Sequence, residues 1–297
     1  MSLNVATLLR QSAHETPDKT AVVLDLGQGE PLRLSYRALD EQARRLAGAL
    51  QALGVRRGQH VALLLPNVPA FSIAYFGCHY AGCPVVPLNV LLTPDEIAYH
   101  LDDSDAVVLI TWEALLPQAR EGFGRVDHCQ HLIVAQATAA PVEGGHGLAA
   151  LLVGATPVAD LPPTSPDETA VLLYTSGTTG KPKGAELTHF NMVHNAEYVA
   201  TQLLPLSGDT TALVALPLFH SFGQTVMHNA TLRAGGTIVL MPRFEPQTAM
   251  ALLQRHRVTF FGGVPTMYFA LLHMPGAEAF DLSALRSCVC GGAPMPV

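Results

Sequence analysis

Ala170-Val171-Leu172-Leu173-Tyr174-Thr175-Ser176-Gly177-Thr178-Thr179-Gly180-Lys181-Pro182-Lys183-Gly184 is the stretch on which the reading of this chain turns. Its first four residues are apolar, a run of the right length for a buried strand. The remainder concentrates hydroxyls, glycines and two lysines in one segment. Glycine lets backbone N–H groups come close to phosphate oxygens. The hydroxyls of Thr175, Ser176, Thr178 and Thr179 add donors. Lys181 and Lys183 add compact positive charge, and charge-assisted hydrogen bonds are the stronger kind. Together these features describe a strand opening into a cradle for a polyphosphate.

The cradle is not the common phosphate loop. That loop needs a glycine, four residues, then Gly-Lys-Ser/Thr at the start of a helix. Counting back from Gly180 places Thr175 where the first glycine should stand, and Pro182 occupies the position of the magnesium-binding hydroxyl. No G-x-G-x-x-G follows a strand, so a dinucleotide-binding turn is unsupported.

Outward from the cradle, apolar runs alternate with helical patterns, the rhythm of an α/β protein with mostly parallel sheets. Before it, helices are expected over residues 5–13 and 36–53 and up to Tyr80, with strands at 21–26, 32–34, 60–65, 84–87 and 106–110. Leu39, Ala43, Leu46 and Leu50 make one apolar stripe on the second helix. Thr93-Pro94-Asp95-Glu96 reads as a helix start with a capping box. Residues 137–166, rich in Ala, Gly and Pro, read as a loose surface excursion. After the cradle, Thr188 is expected to cap a helix through Leu203. Strands follow at 212–216, 237–241, 258–261 and 287–290, with helices past Gly223, over 247–255 and after Pro265.

A hydrophobic content of 49% supports a buried core rather than disorder. The net charge of -7 argues against a general nucleic-acid binder, which needs a basic face. No apolar run approaches the roughly 18–20 residues that cross a bilayer, although peripheral membrane contact stays open. No basic region precedes an apolar stretch at the amino terminus, and a cytoplasmic location is the expectation. Cys78, Cys83, Cys129, Cys288 and Cys290 read as reduced, buried thiols. Cys288 and Cys290 share a strand face, but no second pair or nearby histidine completes a metal site, and none is expected.

The segment from Tyr174 to Gly184 resembles the phosphate-binding signature of the adenylate-forming superfamily, which includes acyl-CoA synthetases. Further stretches carry the same resemblance: Leu34-Ser35-Tyr36-Arg37-Ala38-Leu39, Gly77 through Asn89, Pro217-Leu218-Phe219-His220-Ser221-Phe222-Gly223, and Cys290-Gly291-Gly292-Ala293-Pro294-Met295. The resemblance implies two packed flavodoxin-like subdomains, roughly 1–174 and 185–297, with interleaved segments joined by the loop 175–184. It assigns the β- and γ-phosphates of ATP to Thr175, Ser176, Gly177, Thr178, Thr179, Gly180, Lys181, Lys183 and Gly184. It assigns adenine to Gly291, Gly292, Ala293 and Pro294.

In relatives that use simple acids, a histidine at the position of His220 borders the carboxylate and the acyl tunnel. Amino-acid-activating relatives place an aspartate nearby, so His220 favours a non-amino acid. Phe222, Gly223, Met227, Val264 and Met267 are candidate tunnel residues. A buried methylene contributes about 0.8 kcal/mol, so such a tunnel suits a fatty acid.

The implied reaction makes acyl-AMP from ATP and passes the acyl group to coenzyme A, with Mg2+ screening the phosphates and its protein ligand expected beyond this chain. Later family elements, including the carboxy-terminal domain and its lysine, are not found here. The chain is therefore expected to be an amino-terminal portion that binds nucleotide weakly and turns over little. A homodimer is allowed. A ligase that loads a carrier protein and a non-catalytic nucleotide or acyl binder both stay open. A kinase fits poorly because its phosphate loop is missing.

Overall fold

The computed structural model of the chain describes residues 2–136, 140–175 and 180–294. The chain begins one sheet, leaves it to build a second, and returns to finish the first. β1 (Thr20–Leu24) and β2 (Leu32–Ser35) form an antiparallel hairpin. The chain then runs through β3 (His60–Leu64), β4 (Val85–Pro87), β5 (Ala106–Trp112), β6 (His131–Ala135), β7 (His146–Gly147), β8 (Thr169–Thr175) and β9 (Lys183–Thr188). Among the described residues these form a seven-stranded sheet in the order β7-β6-β5-β3-β4-β8-β9. The last four strands are β10 (Thr211–Val214), β11 (Thr237–Leu240), β12 (Phe260–Gly263) and β13 (Ser287–Cys290). They complete a six-stranded sheet in the order β13-β12-β10-β11-β1-β2. Pairing is parallel throughout except at β1–β2 and β8–β9. This is the mixed α/β architecture with two largely parallel sheets that the strand–helix rhythm implied.

Two compact units follow from this path. The first holds residues Met1–Thr7, Leu39–Pro66 and Ala70–Val193, and the second Leu8–Ala38, Asn67–Pro69 and His194–Val297. Residues 8–38 go with the second unit, rather than with the expected 1–174 stretch, because β1 pairs with β11 in parallel, Val22 opposite Ile238.

Each unit has its own apolar core. In the first, Leu64, Val86, Ile97, Leu101, Leu109 and Leu132 pack together. In the second, Val23, Leu213, Val239, Leu253 and Phe261 do so. Burying one such side chain fully contributes about 1.5–3 kcal/mol. The stripe Leu39, Ala43, Leu46 and Leu50 is wholly buried on the helix Tyr36–Ala52.

The capping signals hold. Thr93 accepts from the Glu96 N–H, and the Glu96 carboxylate accepts from the Thr93 N–H at 2.8 Å. Thr188 and Asn191 cap the helix His189–Tyr198 in the same reciprocal way, at 3.0 and 3.1 Å. Beyond Tyr198 the expected α-helix widens into a π-helical turn, Val199–Leu203, where the Leu204 N–H bonds the Val199 carbonyl at 2.8 Å.

Three further points differ from the sequence reading. The excursion 137–166 contains β7 and a helix, Leu148–Gly154, because the Leu-Ala-Ala-Leu-Leu core of that composition favours helix. β9 is a strand in spite of its polar face, since its backbone pairs with β8 from Thr188 to Lys183. Of the cysteines, Cys78, Cys83 and Cys129 are buried, but Cys288 is exposed and Cys290 half-buried. Both lie on β13, an edge strand among the described residues.

Candidate functional site

The candidate residues fall into two groups, one in each compact unit. In the first unit the described part of the cradle, Thr175 and residues 180–184, lies at the open end of the β8–β9 pair. Thr175 ends β8 opposite Lys183, which begins β9. β8 runs parallel to β4, so this open end lies at the carboxyl end of the sheet's parallel strands, where open α/β sheets bind ligands. Ser176, Gly177, Thr178 and Thr179 lie outside the described residues. Thr175, Gly180, Lys181, Lys183 and Gly184 are exposed.

The stem of the hairpin is held by the helix Pro94–Asp103. The Tyr99 hydroxyl donates to the Pro182 carbonyl at 2.8 Å. The Lys181 ammonium sits 5.8 Å from the Tyr99 ring centroid, within cation–π range. The Tyr174 hydroxyl donates to the Asp103 carboxylate at 2.6 Å. Partial burial, and then this bond to an anion, push the Tyr174 phenol well above its ordinary value. The buried His100 ring packs edge-on against Tyr174 with centroids 4.4 Å apart. Tyr99 and Asp103 are four residues apart and so share a helix face.

In the second unit the candidates gather at the carboxyl ends of β10, β12 and β13. The connection from β10 runs to β11 on one side, and that from β12 runs to β13 on the other. The topological switch point therefore lies between β10 and β12, the usual place for a ligand crevice.

His220 and Phe222 follow β10, Val264 follows β12, and Gly291 and Gly292 follow β13. Gly291 lies against Phe222: a methyl group on Gly291 would come within 2.8 Å of the ring. Gly292 has φ +82° and faces Val264, whose Cγ1 would be 3.2 Å from an added Cβ. Met267 lies in the first turn of the following helix, Pro265–Leu272, its N–H bonding the Val264 carbonyl at 2.9 Å. Phe222, Val264 and Met267 are half-buried, and Ala293 and Pro294 are exposed. Met227 is fully buried, with its sulfur packed on Gly262.

Phe222 begins a π-helical segment, Phe222–Asn229, a geometry frequent at functional sites. Gly223 permits it: a Cβ there would lie 2.3 Å from the Pro217 carbonyl oxygen. His220 is exposed, with its ring centroid 4.6 Å from that of Phe219. Partial desolvation lowers the His220 pKa from the ordinary imidazole value. The shift favours the uncharged imidazole, one nitrogen of which can donate and the other accept.

Several contributors carry no motif. Tyr99 and Asp103 leave only the four-residue spacing as a signal. Asn67, whose side chain bonds three backbone groups of the segment before His220, leaves only a turn residue after Leu64-Leu65-Pro66.

The family described as AMP-binding enzyme matches residues 9–297. The long-chain-fatty-acid–CoA ligase of Bacillus subtilis is 33% identical over 98% of this chain and 55% of its own length. The feruloyl-CoA synthase of an Amycolatopsis species is 39% identical over 89% of this chain and 50% of its own. Among solved structures, the anthranilate CoA ligase AuaEII in complex with anthranoyl-AMP superposes with a TM-score of 0.91 at 26% identity, over 100% of this chain and 55% of that one. The chain belongs to the AMP-binding enzyme family, the adenylate-forming enzymes, and its relatives include acyl- and aryl-CoA ligases. It spans about half the length of these relatives.

Proposed function

We propose that this chain carries the nucleotide- and acid-binding part of an ATP-dependent acid–thiol ligase. The observation that carries this reading is the β8–β9 hairpin, which sets Thr175 opposite Lys183 beside exposed Lys181 at the carboxyl end of a parallel sheet. Two lysines and a glycine-rich turn suit the β- and γ-phosphates, each charge-assisted bond contributing about 1.5–3 kcal/mol. Gly291 and Gly292, with Ala293 and Pro294, suit the flat face of adenine. Phe222, Gly223, Val264 and Met267 suit the apolar part of the acid, and Met227 supports that wall from the core. His220, uncharged, borders the carboxylate.

In the reaction, a carboxylate oxygen attacks the α-phosphorus of ATP, and the bond to pyrophosphate breaks to leave acyl-AMP. The sulfur of coenzyme A then attacks the acyl carbon and AMP departs. Magnesium accompanies the ATP phosphates and screens their charge. The complete reaction belongs to a protein of the relatives' length, and a half-length chain alone binds nucleotide weakly and turns over little.

A fatty acid is the first reading of the substrate. An aromatic acid is the second, favoured by the 39% identity to a feruloyl-CoA synthase. ATP–pyrophosphate exchange by the full-length protein, scored over straight-chain and aryl acids, tests both. Acid-dependent exchange is expected. Transfer of the γ-phosphate, or exchange indifferent to the acid, overturns the ligase.

A further inference from the structure

We infer that Asn67 is a positioning residue that sets the path of the chain between β10 and His220, and through it the choice of acid. The inference rests on the reading of His220 as the border of the carboxylate. The three residues Asn67–Pro69 interrupt a long run of the first compact unit and belong to the second. Asn67 is buried, and its carboxamide grips backbone about 150 residues away in sequence.

Its Nδ2 donates to the Val214 carbonyl at 3.0 Å and to the Leu216 carbonyl at 2.9 Å. Its Oδ1 accepts from the Leu218 N–H at 3.0 Å. Both donors and one acceptor position are therefore used, and an amide turned end for end would set oxygen against oxygen.

The same segment is held from its other side. Gln224 Nε2 donates to the Leu218 carbonyl at 3.3 Å, and the Gln224 N–H donates to the His220 carbonyl at 2.9 Å. The His220 N–H closes onto Pro217 O at 3.1 Å. The Leu218 residue is thus bonded at its N–H by Asn67 and at its carbonyl by Gln224. Pro217 has no N–H of its own to anchor the turn. The direction in which His220 and Phe222 leave β10 depends on these two carboxamides.

A regular parallel strand does not need such a clamp, because its neighbours bond it. Beyond Val214 the ladder with β11 ends, where the Met241 N–H meets the Val214 carbonyl at 3.1 Å. Asn67 supplies side-chain bonds where that backbone pairing stops. A shift of His220 by an ångström or less would alter how an acid lies along Phe222, and displacements of that size change rates strongly.

The test uses two variants. Asn67→Asp keeps the acceptor for the Leu218 N–H and removes both donors. Gln224→Met keeps the volume and removes the bond to the Leu218 carbonyl, and is the milder change. Amide hydrogen exchange of the folded variants reads the clamp directly. Exchange at Leu218 and His220 is expected to quicken about tenfold or more relative to Leu213 within β10. In the full-length protein, KM for the acid is expected to rise about tenfold in Asn67→Asp and less in Gln224→Met. KM for ATP should stay within about twofold, and the ratio of kcat/KM for alkyl against aryl acids should change.

A merely structural role would move both KM values together and leave that ratio alone, which overturns the inference. Unchanged exchange at Leu218 and His220 in both variants overturns it also, and leaves the ligase reading standing. An unsubstituted full-length protein without acid-dependent pyrophosphate exchange sinks the ligase reading and this inference with it.

Discussion

Gly223 and His79 illustrate how differently single residues announce themselves. Gly223 sits in Phe219-His220-Ser221-Phe222-Gly223, a segment singled out from sequence, yet its need for glycine comes from the Pro217 carbonyl 2.3 Å from any added Cβ. Backbone cannot swing aside as a side chain can. Gly223→Ala is expected to destabilise the fold by about 1–3 kcal/mol, read as a lower urea midpoint at unchanged m-value. His79 announces nothing, being one of 13 histidines. In the structure it is buried with neither ring nitrogen hydrogen-bonded, and its ring lies 5.6 Å from that of His189. His189 Nδ1 accepts from the Val5 N–H at 3.2 Å, so its neutral form is the one that fits. Burial, followed by the neighbouring His189, drops His79 well below the ordinary imidazole value, and burial lowers His189 to about 4. Buried His228 is lowered to about 4 as well. For each of these the unfolded chain takes up a proton before the folded one does. For His189 and His228 the contribution to stability is therefore complete above about pH 6.5 and is lost as pH falls toward about 4, and His79 acts in the same direction. Urea unfolding followed from pH 7 to 4 measures this, and a flat stability across that window would contradict it. Replacing His189 with Gln should lessen the slope.

At the scale of elements, local chemistry was legible where both partners stand close in sequence. The capping box of Thr93 and Glu96 is written in four consecutive residues, and the helix Pro94–Asp103 begins there. Thr93→Ala should cost about 1 kcal/mol in thermal or urea unfolding. The same helix braces the hairpin stem, and that role was not legible, because Tyr99 and Pro182 are 83 residues apart. Tyr99→Phe keeps the ring under Lys181 and deletes the bond to Pro182. On the proposed phosphate role of Lys181, KM for ATP in the full-length protein should rise about fivefold, near 1 kcal/mol, with KM for the acid unchanged. An equal rise in both would refute the bracing role. β9 was missed for a related reason. Lys183-Gly184-Ala185-Glu186 is exposed and polar, so no apolar alternation marks it, and its strand character is conferred by the backbone of β8. The π-helical segment Phe222–Asn229 likewise depends on Gly223 seating against β10's continuation, which hydrophobic spacing does not encode.

For the molecule as a whole, the surface can be checked without any assay of activity. Exposed Cys288 should react with a maleimide in the native protein, while Cys78, Cys83 and Cys129 should react only after unfolding. Burial raises the thiols of Cys83 and Cys129 to about 12, which adds to their protection, since the thiolate is the reactive form. Labelling of the buried three at the rate of Cys288 would contradict their burial in the first compact unit. Sequence alone determined the α/β class, most helices and strands, the cap at Thr93 and the family resemblance, because each depends on periodicity or on residues adjacent in the chain. Tertiary structure alone decided that residues 8–38 and 67–69 join the later half of the chain, that β2 and β9 turn antiparallel, and that Asn67 and Tyr99 brace segments far from them in sequence. Those outcomes rest on hydrogen bonds and close contacts between distant backbones, and a backbone carries the same N–H and C=O at nearly every residue, so the letters of the sequence do not say where they will meet.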